Sequence, residues 1–245
     1  MTPPDLISAA EDDRALKDLN DWLATQSPGD HVTWAVATLP DQHALSSSFG
    51  AQSAAVLHLV TRSQPGIPVI LIDTGYLFPE TYRFADDLTE KLGLNLKVYR
   101  PAIGVAWMEA RLGRLWEQGL DGLERYNRLR KVEPMQRALT EIGARTWIAG
   151  LRRTQTVERG SIDFLELRDG RWKFHPIADW SDRDVWKYLQ DNRLPYHPLW
   201  ERGYLSIGDV HTTRPWEPGM REEDTRFFGL KRECGLQRRS EYLKV

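Results

Sequence analysis

The chain has 245 residues, 41% of them hydrophobic and 28% charged, with a formal net charge of −2 at pH 7. This length suits one α/β domain, or one domain with an appended tail, and the balance of residues excludes a disordered chain. A charge so near zero gives no global nucleic-acid signature, so any anion site has to be a local cluster of cations. No stretch approaches the roughly eighteen consecutive apolar residues of a membrane span, and the acidic opening "MTPPDLISAAEDD" lacks the charged-then-apolar pattern of a secretion signal. The expectation is a cytoplasmic protein that binds neither membrane nor nucleic acid. The one cysteine, Cys234, excludes an internal disulfide and any multi-cysteine metal or cluster site.

In chain order, Leu16, Leu19 and Leu23 at spacings of three and four predict a helix over residues 5–26, broken by "SPGD" at 27–30. "HVTWAVATLP" reads as a short helix ended by Pro40. "HALSSSFG" is a short strand running into a loop, followed by a helix in "AQSAAVLHLV". The continuous apolar run "IPVILIDTG" marks a strand buried on both faces. Pro79 opens the next helix, Phe84, Leu88 and Leu92 give it an apolar stripe, and Gly93 stops it. "NLKVYRP" is a third strand, residues 104–142 are helical, and "RTWIAG" is a fourth strand. "IDFLELRDGRWKFHPI" is a hairpin turning at Asp169-Gly170. Ser181 and Asp184 fit a capping box ahead of a last helix, and beyond Pro198 the chain is irregular. Strand and helix alternate, which predicts a doubly wound, mostly parallel α/β sheet with helices on both faces. Ligands of such sheets lie beyond the carboxyl ends of the strands.

That position selects three loops. "SSSFGAQ" (46–52) offers hydroxyls and helix-start N–H groups to an anion, but it lacks the glycine spacing and lysine of a Walker loop. An ordinary capping cluster and a phosphate cradle both fit it. In "IDTGYLFPET" (72–81), Asp73 reads either as a satisfied turn carboxylate or as a partner of a ribose hydroxyl or adenine amino group. "AGLRRTQTVER" (149–159) carries Arg152, Arg153 and Arg159 just past a strand end, where arginine forks favour phosphate or sulfate, and Lys131 is placed to join them. His175, His197 and His211 match no metal-site spacing and are expected to be hydrogen-bonded structural histidines. Cys234 sits among Lys231, Arg232 and Glu233; the cations favour its thiolate and Glu233 opposes it, so a reactive thiol and an inert one both stand on residue type alone.

Taken together, "LSSSFGAQ", "IDTGYLFPET", "KVEPM", "GLRR", "YHPLW", "GYLSIGD", "HTTRPWEPG" and "EEDTRFFGLKRECGL" fall in an order that resembles the thioredoxin-dependent phosphoadenylylsulfate (PAPS) reductases, collinearly from about residue 43 to 237. The resemblance implies an adenine nucleotide α-hydrolase-like fold, related to the PP-loop pyrophosphatases. It implies a homodimer and a division into a nucleotide-binding domain (1–210) and a catalytic tail (211–245) that closes over the nucleotide. It makes Cys234 the nucleophile and assigns Ser46, Ser47, Ser48, Gln52, Asp73, Thr74 and Gly75 to the nucleotide pocket. Lys131, Arg152, Arg153, Arg159 and Arg226 fall to the phosphosulfate and 3′-phosphate surroundings, with Tyr204 and Arg214 as further substrate-binding candidates. The expected chemistry is attack of Cys234 on the sulfur of PAPS, giving S-sulfocysteine and adenosine 3′,5′-bisphosphate, then release of sulfite by thioredoxin or glutaredoxin.

Relatives that reduce adenylylsulfate (APS) carry a [4Fe–4S] cluster on two cysteine pairs. This chain has Tyr126-Asn127 and Asp209…Thr212 at those places, so no cluster and no bound cofactor are expected. The family usually ends "ECGLH", whereas here the last position is Gln237. Three other readings stay open: an ATP pyrophosphatase-like adenylating enzyme of the same fold, a cluster-free APS reductase, and a non-catalytic nucleotide-binding module in which Cys234 is incidental.

Overall fold

The computed structural model describes residues 5–230. The helix expected over 5–26 is two helices, α1 (Leu6–Glu11) and α2 (Asp13–Leu23). Asp12 divides them: its backbone is extended and its carboxylate accepts from Arg14 N at 3.0 Å, so it caps a new helix instead of continuing the old one. "SPGD" is likewise a start as well as a stop. Ser27 caps α3 (Pro28–Thr38), with Pro28 in the first turn where its missing N–H is not needed.

Strands β1 (His43–Ser46), β2 (Pro68–Ile72), β3 (Asn95–Tyr99), β4 (Thr146–Ala149), β5 (Leu165–Arg168) and β6 (Arg171–Phe174) form one sheet in the order β3-β2-β1-β4-β6-β5. All pairings are parallel except the β5–β6 hairpin, whose turn residues Asp169 and Gly170 have φ of 51° and 73°. The helices between and after the strands are α4 (Ala54–Ser63), α5 (Pro79–Leu92), α6 (Val105–Leu112), α7 (Gly119–Asn127), α8 (Glu133–Ile142) and α9 (Asp182–Asp191). Gly93 ends α5 in the left-handed conformation, and Ser181 with Asp184 forms the expected capping box of α9.

The period-2 alternation of the central strands builds two cores. Leu45, Val69 and Leu71 face helices α2, α3, α4, α5 and α9, while Ala44 and Ile70 face Met135, Ala138 and Leu139 of α8. The chain winds outward through β1, β2 and β3 and then crosses to β4 on the other side of β1. The switch point therefore lies between β1 and β4, and the crevice that such a reversal opens is where the site lies.

Candidate active site

A cleft of about 430 Å³ opens beyond the carboxyl ends of β1, β2 and β4. One wall is the loop after β1. Ser46 Oγ accepts from Trp147 Nε1 at 2.7 Å, and Ser47 Oγ accepts from Phe49 N at 3.1 Å. Phe49 has φ of 49° and a fully buried side chain. Left-handed backbone at a bulky residue costs on the order of 1–3 kcal/mol, and burying the phenyl group offsets it by a similar amount. The core thus holds the loop in its turn. No side chain caps α4, and the hydroxyl of its N-cap residue Ser53 has no hydrogen-bond partner among the described residues. The helix start is left facing the cleft, which favours the anion-cradle reading of this loop over the capping one.

Cations supply the other walls. Arg152 is buried, donating through Nη2 to Gln52 Oε1 at 2.7 Å and Asp182 Oδ1 at 2.8 Å. Arg159 donates to Gln155 Oε1 on the turn that follows. Arg226 donates to Ser206 Oγ at 3.1 Å, lies 5.0 Å over the Phe227 ring and rests against Gly208, where a methyl group would come within 2.2 Å of its Nη2. Lys131 projects from a π-helical turn, Arg128–Val132, between α7 and α8. Pro134 has no N–H to give Arg130 O, and Glu133 N bonds back five residues to Arg128 O, so the turn widens and aims Arg130 and Lys131 inward. Arg130 clasps the carbonyls of Thr74 and Ile103. Lys131 Nζ pairs with Asp209 Oδ2 at 2.6 Å, both side chains buried. Burial alone would raise the Asp209 carboxyl, but the charge and hydrogen bond of Lys131 and the hydroxyl of Thr74 outweigh it and hold it below the ordinary carboxylate value.

Among the sequence-derived site residues, Ser46, Ser47, Ser48, Gln52, Thr74, Lys131, Arg152, Arg159 and Arg226 line this cleft. Five others stand apart from its lining. Asp73 is a satisfied carboxylate, accepting from Tyr82 Oη (2.6 Å), Arg100 Nε (2.8 Å) and Gly75 N (2.9 Å). Gly75, at φ of 78°, makes the turn next to Arg130 and Val105. Arg153 turns back into the fold, donating to Ile162 O at 2.8 Å over the Phe164 ring. Tyr204 packs edge-on to Phe78, and Arg214 donates to Asp224 O at 2.9 Å. Cys234 and Gln237 lie outside the described residues. Residue type could not separate Arg152 from Arg153, because adjacent residues in a strand-end loop point to opposite sides. Asp209 is absent from the sequence-derived site; its one signal in the sequence is the acid closing "GYLSIGD", and the structure sets it against the loop after β2.

The histidines divide in two ways. His175 Nδ1 meets Ala149 O at 3.0 Å, and His197 lies between Thr81 Oγ1 (3.1 Å) and Leu199 N (3.1 Å), as expected of structural histidines. His211 departs from that expectation. It stacks on Trp116 at 3.7 Å with the edges of Tyr76 and Tyr126 against it, and neither ring nitrogen finds a hydrogen-bond partner among the described residues. Burial pushes it down to about 4. No group of His, Cys, Asp and Glu among the described residues could hold a metal ion, and no helix among them is long and apolar enough to cross a membrane.

Sheet order and cleft define the class: an open α/β protein with a cation-lined cleft at its topological switch point. FMN adenylyltransferase of Candida glabrata shares the fold alone, with a TM-score of 0.56 at 13% identity over 82% of this chain and 72% of that one. The phosphoadenosine phosphosulfate reductase domain model matches residues 42–215. Phosphoadenosine 5′-phosphosulfate reductase of Xanthomonas campestris pv. campestris (strain B100) is 66% identical over 218 residues, covering 89% of this chain and 90% of that protein. That of Xylella fastidiosa (strain 9a5c) is 65% identical over 90% of this chain and 93% of its own. The PAPS reductase of Candida auris, solved as a phosphate complex, superposes with a TM-score of 0.72 at 30% identity, over 83% of this chain and 98% of that one. The chain belongs to the phosphoadenosine phosphosulfate reductase family.

Proposed function

We propose that this chain is a PAPS reductase of sulfate assimilation. The observation that carries the reading is the cleft, which sets Lys131, Arg152, Arg159 and Arg226 around the loop after β1, in a chain of this family. PAPS lies across the strand ends with its anionic groups toward that loop and those cations. The thiolate of Cys234, in the tail from residue 211 onward, attacks the sulfur. An S–S bond forms and the S–O bond to the phosphate breaks, leaving S-sulfocysteine. The electron pair departs with the phosphate oxygen of adenosine 3′,5′-bisphosphate. Negative charge grows on that oxygen, so cations already fixed beside it lower the barrier. The two electrons that free sulfite come from an external dithiol, thioredoxin or glutaredoxin, which ends as a disulfide, because the sequence holds no second thiol. A [4Fe–4S] cluster needs four thiolate ligands and the sequence has one, so the reaction runs without it. A cytoplasmic homodimer is part of the same reading.

The test is intact mass after incubation with PAPS and no reductant. One added SO₃ unit, absent in Cys234→Ser, is expected. No adduct under conditions where PAPS binds would sink the chemistry. A parallel titration with APS distinguishes the two nucleotides, and light scattering reports the dimer.

A further inference from the structure

Asp209 is fully buried at the floor of the cleft and is fixed from both ends. Its backbone bridges to Leu77 and Val210 N donates to Tyr76 O at 2.8 Å, tying the segment to the loop after β2. Its Oδ1 accepts from Thr74 Oγ1 at 2.5 Å, and its Oδ2 meets Lys131 Nζ at 2.6 Å. Lys131 arrives from the π turn with its ammonium 5.6 Å over the Tyr126 ring and 5.2 Å over that of Phe227. A buried ion pair is weak evidence for stability, since desolvation of the two ions cancels most of their attraction. Here the ammonium is held between a rigid carboxylate and an open cleft. Lys131 and Asp209 both line that cleft.

We propose that Asp209 is a positioning residue of the reaction, holding the Lys131 ammonium in place beside the bound anion and supplying its counter-charge. The inference rests on the reductase reading and adds a residue that never touches substrate. Without the carboxylate, a buried ammonium loses the partner that favours its charged form and sheds its proton more readily. The other groups around the pair are Thr74, Tyr76, Arg130, Tyr126, His211 and Arg226, with Glu109 and Glu117 beyond. Burial pushes His211 down to about 4 and both tyrosines upward, so none of these three changes charge between pH 6 and 9.

The experiment follows kcat/KM for PAPS reduction and Kd for adenosine 3′,5′-bisphosphate, each against pH, in the parent, Asp209→Asn, Asp209→Glu and Asp209→Asn/Lys131→Arg. Asp209→Asn is expected to lose about 10- to 100-fold, with its alkaline fall starting roughly a pH unit or more below that of the parent. Asp209→Glu recovers part of the loss. Lys131→Arg in the Asp209→Asn background abolishes the early alkaline fall, because a guanidinium stays charged throughout. An Asp209→Asn profile parallel to the parent's, or an alkaline fall unchanged by Lys131→Arg, overturns the proposal. Should Asp209→Asn fail to fold, Thr74→Val decides: it leaves Asp209 in place but removes the hydroxyl that donates to Oδ1 and accepts from Tyr76 N, and values identical to the parent's overturn the proposal equally. An inactive parent sinks the reductase reading, whereas an active parent with an unaltered variant sinks only the role of Asp209.

Discussion

His197 shows how burial turns a titratable group into a stability sensor. Its Nδ1 accepts from Leu199 N, so the neutral ring donates from Nε2 to Thr81 Oγ1. Burial pushes it from 6.5 down to about 4. Between those values the unfolded chain binds a proton that the folded chain refuses, so stability present above about pH 6.5 is lost as pH falls toward 4. Urea midpoints should decline from pH 7.5 to 5, and His197→Gln should lessen the slope; an unaltered slope would show that other groups carry it. Asp73 carries the same sign at lower pH. Burial would raise its carboxyl, but Tyr82, Gly75 and Arg100 together hold it below the ordinary value, so its contribution fades only as pH falls below about 4. Thermal unfolding of Asp73→Asn should show a lower Tm at neutral pH, with the gap to the parent closing in acid. Which of these side chains were structural was legible only in part. Residue type and motif identified the group, but whether Arg152 or Arg153 faced the cleft depended on backbone direction, which neither reports.

At the scale of elements, much could be read in advance. The apolar run of β2, the Pro79 start and Gly93 stop of α5, the Asp169-Gly170 turn and the capping box of α9 each rest on a local rule that tertiary packing did not override. Two features rest on competition between neighbours and were missed. Asp12 could continue one helix or cap the next, and it caps. The π turn follows from Pro134, but a proline at that place is equally compatible with an ordinary helix start. Pro134→Ala should allow that turn to tighten toward an α-helical one and rotate Lys131 away from Asp209. Binding of adenosine 3′,5′-bisphosphate should then weaken about tenfold, roughly one lost charge-assisted hydrogen bond, while helicity by circular dichroism stays or rises. Gly208→Ala acts on the other wall. The added methyl displaces the guanidinium of Arg226, the flexible end of a side chain, so calorimetry should show weaker nucleotide binding with little change in Tm. A large drop in Tm would mean the backbone, not the arginine, had moved.

At the scale of the whole molecule, the proposed mechanism has the Cys234 thiol meet PAPS at the cleft first and an external dithiol second. With one cysteine in the sequence, a single turnover without reductant should release one adenosine 3′,5′-bisphosphate per chain and no sulfite, with sulfite following on addition of thioredoxin. Sulfite released before any dithiol is added would contradict that order. The switch-point crevice was legible from strand and helix alternation. Its floor was not, because the Asp209–Lys131 contact joins positions far apart in sequence. Phe49 adds a last consequence. Its phenyl group belongs to the main core while its backbone shapes the loop after β1, so on the proposed reading melting temperature and nucleotide affinity share one determinant. A graded series such as Phe49→Leu, →Val and →Ala should lower both quantities together, tracing a straight line of log Kd against Tm. Drift in the core at this position therefore cannot be silent: a population of sequences relaxing its packing would be filtered by growth on sulfate before any of them unfolded.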